Sequence, residues 1–315
     1  MKWSVLCLFL STSLLAQTTS VSGTHSYDLN GNRVLESESR QVVSAKGDVL
    51  STSQMMLTIN GNIAPLEKIE EKILSKTDTT KVVERTVIPY DANGNPGQPQ
   101  RVITTERKNA DGSSSVDRAV YYSDINGGFA LAEKEIKVSR PTGANGSTYE
   151  KTVVRTTQNG EEVIERQQGR IVSDKASSSE EVAIERRDLS GNLQPAGRIS
   201  IQKEEKDGVV KESKAIYFQE GGQVRLANQT LSETIAKKDG SSITKVNVFG
   251  SNSPGRPATD APEFREQQII EKVPGPNKSV SETISVRRPT LDGGGTLGPI
   301  LKLSERNCIG QCNTP

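Results

Sequence analysis

Short runs mixing β-branched and polar residues recur along most of this chain. They include Lys81–Ile88, Arg101–Arg107, Val116–Tyr122, Leu131–Val138, Tyr149–Thr156, Val182–Arg186, Ile199–Lys203, Val209–Phe218 and Ile243–Phe249. Val, Ile, Thr and Tyr are frequent in them, as a pleated, half-buried surface favours, so each reads as a β-strand. Leu66–Leu74 is the only helical candidate. Apolar residues gather at one end of the runs, as in Val87-Ile88, Val120-Tyr121-Tyr122, Val153-Val154 and Ile216-Tyr217-Phe218. Charged residues gather at the other, as in Glu106-Arg107-Lys108 and Lys203-Glu204-Glu205-Lys206. Stacking such units lines the apolar ends into one narrow seam. Cross-strand Lys–Glu and Thr–Thr pairs, worth about 0.2–1 kcal/mol each, would support the charged half.

A turn signal separates the runs at nearly fixed spacing. Asn30-Gly31, Asn60-Gly61, Asn93-Gly94, Asn126-Gly127 and Asn159-Gly160 lie 30, 33, 33 and 33 residues apart by their own numbers, and the series degrades to Ser190-Gly191 and Gly221-Gly222. Asn-Gly is a strong hairpin signal, because both central residues of a type I′ turn need φ > 0. A second turn, such as Asp111-Gly112, Asp207-Gly208 or Asp239-Gly240, falls near the middle of each period. A fixed period of this size marks an array of similar units. The expected fold is therefore all-β: a repetitive antiparallel hairpin meander forming an elongated, coiled or shell-like sheet, with a β-propeller as the alternative.

Composition narrows this further. Hydrophobic residues make up 32% and aromatics 4%, so the core must be thin. There are 40 basic and 39 acidic residues, and this balance offers no basic stripe for nucleic acid. Residues 1–16 read as a secretory signal, with Lys2 as the charged start, Trp3–Leu10 opening the apolar run and Ala16 as the small residue at cleavage. The run is too short to span a bilayer, and no later segment could cross as a helix. The array is expected over 17–249, a Pro/Gly-rich break over 250–262, a last hairpin over 263–288, and a flexible tail over 289–315. Cys308 and Cys312 in that tail read as a disulfide of an exported protein.

Two turns carry a fuller signature, Tyr27-Asp28-Leu29-Asn30-Gly31-Asn32-Arg33 and Tyr90-Asp91-Ala92-Asn93-Gly94-Asn95. They resemble the tyrosine–aspartate (YD, or Rhs-type) repeats of secreted and cell-surface proteins, whose hairpin sheets coil into shells. The resemblance implies a shell-like sheet and a surface role.

Candidate chemistry is sparse. Asp28, Asn30 and Asn32, like Asp91, Asn93 and Asn95, alternate in the manner of oxygen ligands for calcium, but the Gly and acid positions of a calcium loop are missing, and turn capping explains the same residues. His25 is the only histidine, which leaves a catalytic triad or a His-containing zinc site little to work with. No phosphate-binding loop or nucleophile elbow is present. The expectation is a non-enzymatic exported scaffold, adhesin or assembly subunit, secreted, extracellular or in the cell envelope, without cofactor. Its partners would be copies of itself or envelope components. A compact binding module for polysaccharide or peptide is the alternative. An outer-membrane barrel reads poorly, because aromatic girdles are missing and Val209–Phe218 mixes charged and apolar residues on both faces.

Overall fold

Eighteen strands follow one another as an unbroken antiparallel meander, and the last returns to the first. The computed structural model describes residues 18–27, 31–43, 49–57, 61–124, 127–220, 222–251, 262–290 and 296–309. The strands are β1 (Thr18–Tyr27), β2 (Arg33–Val43), β3 (Val49–Leu57), β4 (Ile63–Lys76), β5 (Thr80–Pro89), β6 (Gln100–Lys108), β7 (Ser114–Ser123), β8 (Phe129–Pro141) and β9 (Gly146–Thr157). The second half holds β10 (Gly160–Ser173), β11 (Ser177–Arg187), β12 (Leu193–Lys206), β13 (Val209–Glu220), β14 (Gln223–Ala236), β15 (Ser242–Gly250), β16 (Glu263–Pro274), β17 (Val280–Arg287) and β18 (Leu301–Ile309).

The fold is therefore all-β and antiparallel, but the sheet closes, and neither an open coiled sheet nor a propeller describes it. β18 pairs with β17 on one side and with β1 on the other, from Val21 opposite Ile309 to Ser26 opposite Ser304. Closure removes both sheet edges, where unpaired backbone groups would invite other chains. Leu66–Leu74 lies within strand β4 rather than a helix, because its neighbours β3 and β5 take up its backbone groups. Gln267–Val273 and Val280–Arg287 pair as β16 and β17. Much of the segment expected as a tail supplies β18, the closing strand; Cys308 sits buried on it, while Cys312 lies outside the described residues.

Regular bulges accompany the closure. Eight even-numbered strands carry one extra residue soon after the turn that precedes them: Glu36, Leu66, Ala132, Ile164, Ala196, Ala227, Arg265 and Leu303 are each skipped in the pairing. A bulge bends its strand and increases the local twist, so eight of them along one rim give the wall its curvature.

The turns divide the barrel into two rims. The Asn-Gly rim joins β1 to β2, β3 to β4 and so on; the opposite rim joins β2 to β3 and onward, and begins and ends the barrel. At the Asn-Gly rim every described glycine of the series has positive φ, from 77° at Gly61 to 111° at Gly160. The turn at Asn93-Gly94 is not type I′, however, because Asn93 has no positive φ. Asp91 N–H bonds Asn95 O and Gly94 N–H bonds Asp91 O, both at 2.9 Å, so one left-handed glycine closes a five-residue loop. Asp188–Asn192 repeats the pattern, and so does Asn109–Ser113 at the opposite rim. Among the described residues Asp207-Gly208, with φ of 52° and 76°, and Asn277-Lys278, with 56° and 59°, put both central residues in the left-handed region.

Candidate functional site

Directly paired residues of an antiparallel sheet share a face, so the registers sort every strand residue onto one side of the wall or the other. One face holds Ser22, Thr52, Ile69, Val102, Val120, Tyr149, Val153, Val182, Val286 and Cys308, all buried; Ala215 is the buried residue on the other. Side chains on a concave wall converge and shield one another, whereas on a convex wall they splay. The shielded face therefore lines the lumen.

The expected apolar seam exists and runs around this inner face. Ile69 stands opposite Val87, Val102 opposite Val120, and Val182, Ile199 and Ile216 form a row across β11, β12 and β13. Charged groups flank it on both sides. Toward the opposite rim, Lys151 Nζ lies 2.9 Å from Glu135 Oε2 and Lys272 Nζ lies 3.1 Å from Glu282 Oε2; toward the Asn-Gly rim, Arg186 Nε lies 2.8 Å from Glu165 Oε2.

The densest polar cluster of this inner wall spans β8 to β11. Tyr149 O–H donates to Glu180 Oε1 at 2.8 Å, and Lys137 Nζ sits 4.0 Å from the Tyr149 ring centroid. The ring itself lies over Gly169, which faces it directly across the β9–β10 pair. Burial and the Glu180 carboxylate push the phenol well above its usual range. Burial raises Glu165 as well, but the Arg186 guanidinium and the Gln167 amide, donating at 2.6 Å, outweigh it and hold this carboxyl below its usual range. These groups are locked to one another across neighbouring strands and form a fixed charged strip with both signs present. Periodicity alone could not show this strip, since which face a charge takes depends on the bulges.

The outer wall is also charged. Arg101–Glu84 at 3.1 Å, Arg107–Asp117 at 2.7 Å and Arg166–Glu185 at 3.9 Å all lie on it, far from any gap in the wall. Strands of 8 to 14 residues are long enough to cross a bilayer, which takes about 9–11 tilted residues. A lipid-facing wall, though, needs an apolar band, and each Arg or Lys at the bilayer midplane costs about 2–4 kcal/mol. This outer face carries charged side chains over most of its height. Two shallow grooves open on it: one of about 570 Å³ between Val172, Ser179, Lys211 and Leu231, and one of about 520 Å³ between Gln168, Arg170, Ala183 and Arg198.

Of the candidate calcium ligands, Asp91, Asn93 and Asn95 are bonded to one another within their own turn. Asp91 Oδ1 accepts from the N–H groups of Asn93 and Asn95 at 2.9 and 2.8 Å, and Oδ2 accepts from the Asn95 side chain at 3.1 Å. That carboxylate is occupied by its own turn. Asn32 is exposed, and Asp28 and Asn30 lie outside the described residues. Among the described residues no group of three or more His, Cys, Asp or Glu is placed to hold a metal. His25 Nδ1 is 3.2 Å from Arg33 on the outer face.

The chain is thus a closed antiparallel barrel of 18 strands with charges of both signs on its inner wall. Two solved structures share the fold. OpdL of Pseudomonas aeruginosa superposes with a TM-score of 0.52 at 9% identity, covering 94% of this chain and 98% of that one. OpdQ of the same organism superposes with a TM-score of 0.52 at 8% identity, covering 93% and 95%. Both are 18-stranded outer-membrane porins. No protein-family model matches the chain, and no curated protein matches it by sequence. The closed barrel overturns the tyrosine–aspartate shell: the turns look alike, but the strands between them return to their origin. The scaffold or adhesin role and the compact binding module fall with the open array and the propeller on which they rested.

Proposed function

We propose that the chain forms a water-filled β-barrel conduit for polar solutes, a transport rather than a catalytic element of the cell envelope. The closure of β18 onto β1 carries this reading, because it turns a sheet into a tube. A wall of 16–18 strands is wide enough to leave an aqueous passage. Among the described residues the only helical element is the short turn Pro276–Lys278. The fold shared with OpdL and OpdQ supports the same class. The ion pairs of β8–β11 and of β16–β17 would set the field met by a passing ion.

Consecutive residues on β10 test it. Gln167 lies on the inner face and Gln168 on the outer. In Q167C a small charged methanethiosulfonate should react while a polyethylene-glycol maleimide too wide for the lumen should not. In Q168C both should react, each measured against the same chain without the added cysteine. A Q167C thiol closed to the small reagent would mean a plugged barrel. One open to both reagents would mean an open sheet. Either result overturns the conduit.

A further inference from the structure

Aromatic residues are sorted to one rim. Of the ten Tyr and Phe residues from Tyr27 onward, nine lie at the Asn-Gly rim; Tyr149 alone lies toward the other. Six of the nine project from the outer face: Tyr27, Tyr121, Phe129, Tyr217, Phe249 and Phe264. They are spread around the circumference, on β1, β7, β8, β13, β15 and β16. Cations accompany them: the Arg101 guanidinium lies 5.6 and 5.4 Å from the Tyr121 and Phe129 rings, Arg198 lies 4.6 Å from Tyr217, and Lys302 Nζ lies 4.8 Å from Tyr27. Exposed aliphatic side chains occur at both rims, with Leu189, Val224 and Ile300 at 110, 59 and 59% exposure here and Val273 and Ile309 at 53 and 67% at the opposite rim, so the aromatic and basic groups are what set this rim apart.

We propose that this rim is a membrane-contact surface, and that the barrel meets a lipid bilayer there and nowhere else. Aromatic rings paired with basic head groups match the boundary between phospholipid head groups and acyl chains, where one end of a side chain is apolar and the other wet. Exposed aliphatic residues above the belt reach the start of the acyl region. Below the belt the outer face carries Asp117, Lys134, Glu150, Arg166 and Glu181, and no second aromatic belt follows. A spanning barrel has an apolar band between two belts; this one has a single belt above a charged wall. The contact is thus with the bilayer surface, and the rest of the tube stands in water. The inference rests on closure and on the two faces, not on passage through the lumen.

The sole tryptophan is Trp3, so a W3F background allows single-tryptophan reporters. F129W places one in the belt and I136W places one lower on the same outer face of β8; F249W is a second belt reporter should F129W fold poorly. The probe is vesicles of phosphatidylcholine and phosphatidylglycerol carrying brominated acyl chains. The protein should float with the vesicles, with F129W and F249W fluorescence quenched severalfold and I136W unchanged. Quenching of I136W as strong as that of F129W would show a spanning wall and overturn the proposal, as would a failure to float or an absence of quenching at the belt. The thiol-access result for Q167C is independent of either outcome.

Discussion

The ring of Tyr149 occupies the space where a side chain at Gly169 would be. The two residues face each other across β9 and β10, and a Cβ built on Gly169 would collide with the ring edge. A glycine within a strand weakens it, and here an aromatic neighbour covers the bare backbone. The pair also explains why Tyr149 is the one aromatic away from the Asn-Gly rim: it is held inward by Gly169, Glu180 and Lys137. Gly169→Ala should destabilise the barrel by about 1–3 kcal/mol through overpacking, and Tyr149→Ala in the same chain should return part of that loss. Urea denaturation of the two single variants and the double variant gives the coupling.

The cation over that ring makes a smaller contribution. Lys137→Met keeps the stem that covers the ring and removes the charge 4.0 Å from it. A cost of about 0.5–1 kcal/mol is expected in the same assay. Loss of less than about 0.2 kcal/mol would mean that the ammonium is fully solvated in the native state.

Closure can be tested at the seam. Gly23 stands directly opposite Asn307 on β1 and β18, 284 residues later by their numbers. Paired Cβ atoms at such positions are about 4.5–5.5 Å apart, close enough for a disulfide to form with little adjustment. G23C/N307C should therefore cross-link within one chain under mild oxidation, read as a faster-migrating monomer in non-reducing electrophoresis. An open meander would give intermolecular products or none.

Acid should loosen the rims before the wall. Asn95 donors hold the Asp91 carboxyl below its usual range; Ser113 and Ser241 hydroxyl and amide donors do so for Asp111 and Asp239, and the amides of Ala176 and Ser177 for Asp174. A carboxyl lowered in the folded state contributes stability that is present above its unfolded value of about 3.9 and fades as pH falls through the folded value. Stability should thus be flat above about pH 5 and decline below about pH 4. D111N/D239N should be less stable at neutral pH and show a shallower acid decline. An unchanged pH profile in that variant would remove these turns as the cause.

Much of the wall was legible in the sequence because a strand's period and a turn's glycine are local properties. Asn93-Gly94 and Asp111-Gly112 mark the ends of β5 to β7 without reference to anything distant. The apolar seam was legible for the same reason, and Val102 opposite Val120 is its realised form. Closure was not. It depends on single extra residues such as Ile164 and Ala227, which look like any other strand residue until the partner's register is known. It depends also on β18, whose Leu301–Ile309 follows a Gly/Pro-rich stretch that reads as the start of a tail. The same bulges decide which face receives Glu135 or Arg186, and so hid the inner charged strip. The aromatic residues were counted but not placed, and a count of few rings concealed that nearly all of them share one rim.

The pairing of the first strand with the last has a consequence for the order of events during synthesis. A chain emerging from its N-terminus can form every hairpin from β1 to β17 as soon as each turn is complete, because each partner is the next segment made. Throughout that time β1 has a neighbour on one side only, and its other side waits for a segment made almost 300 residues later. The growing sheet must keep an unsatisfied border for nearly the whole of translation and transit, and only the final residues retire it. A late frameshift or a ragged C-terminus would therefore leave a protein whose strands are almost all intact yet whose border can capture a second chain.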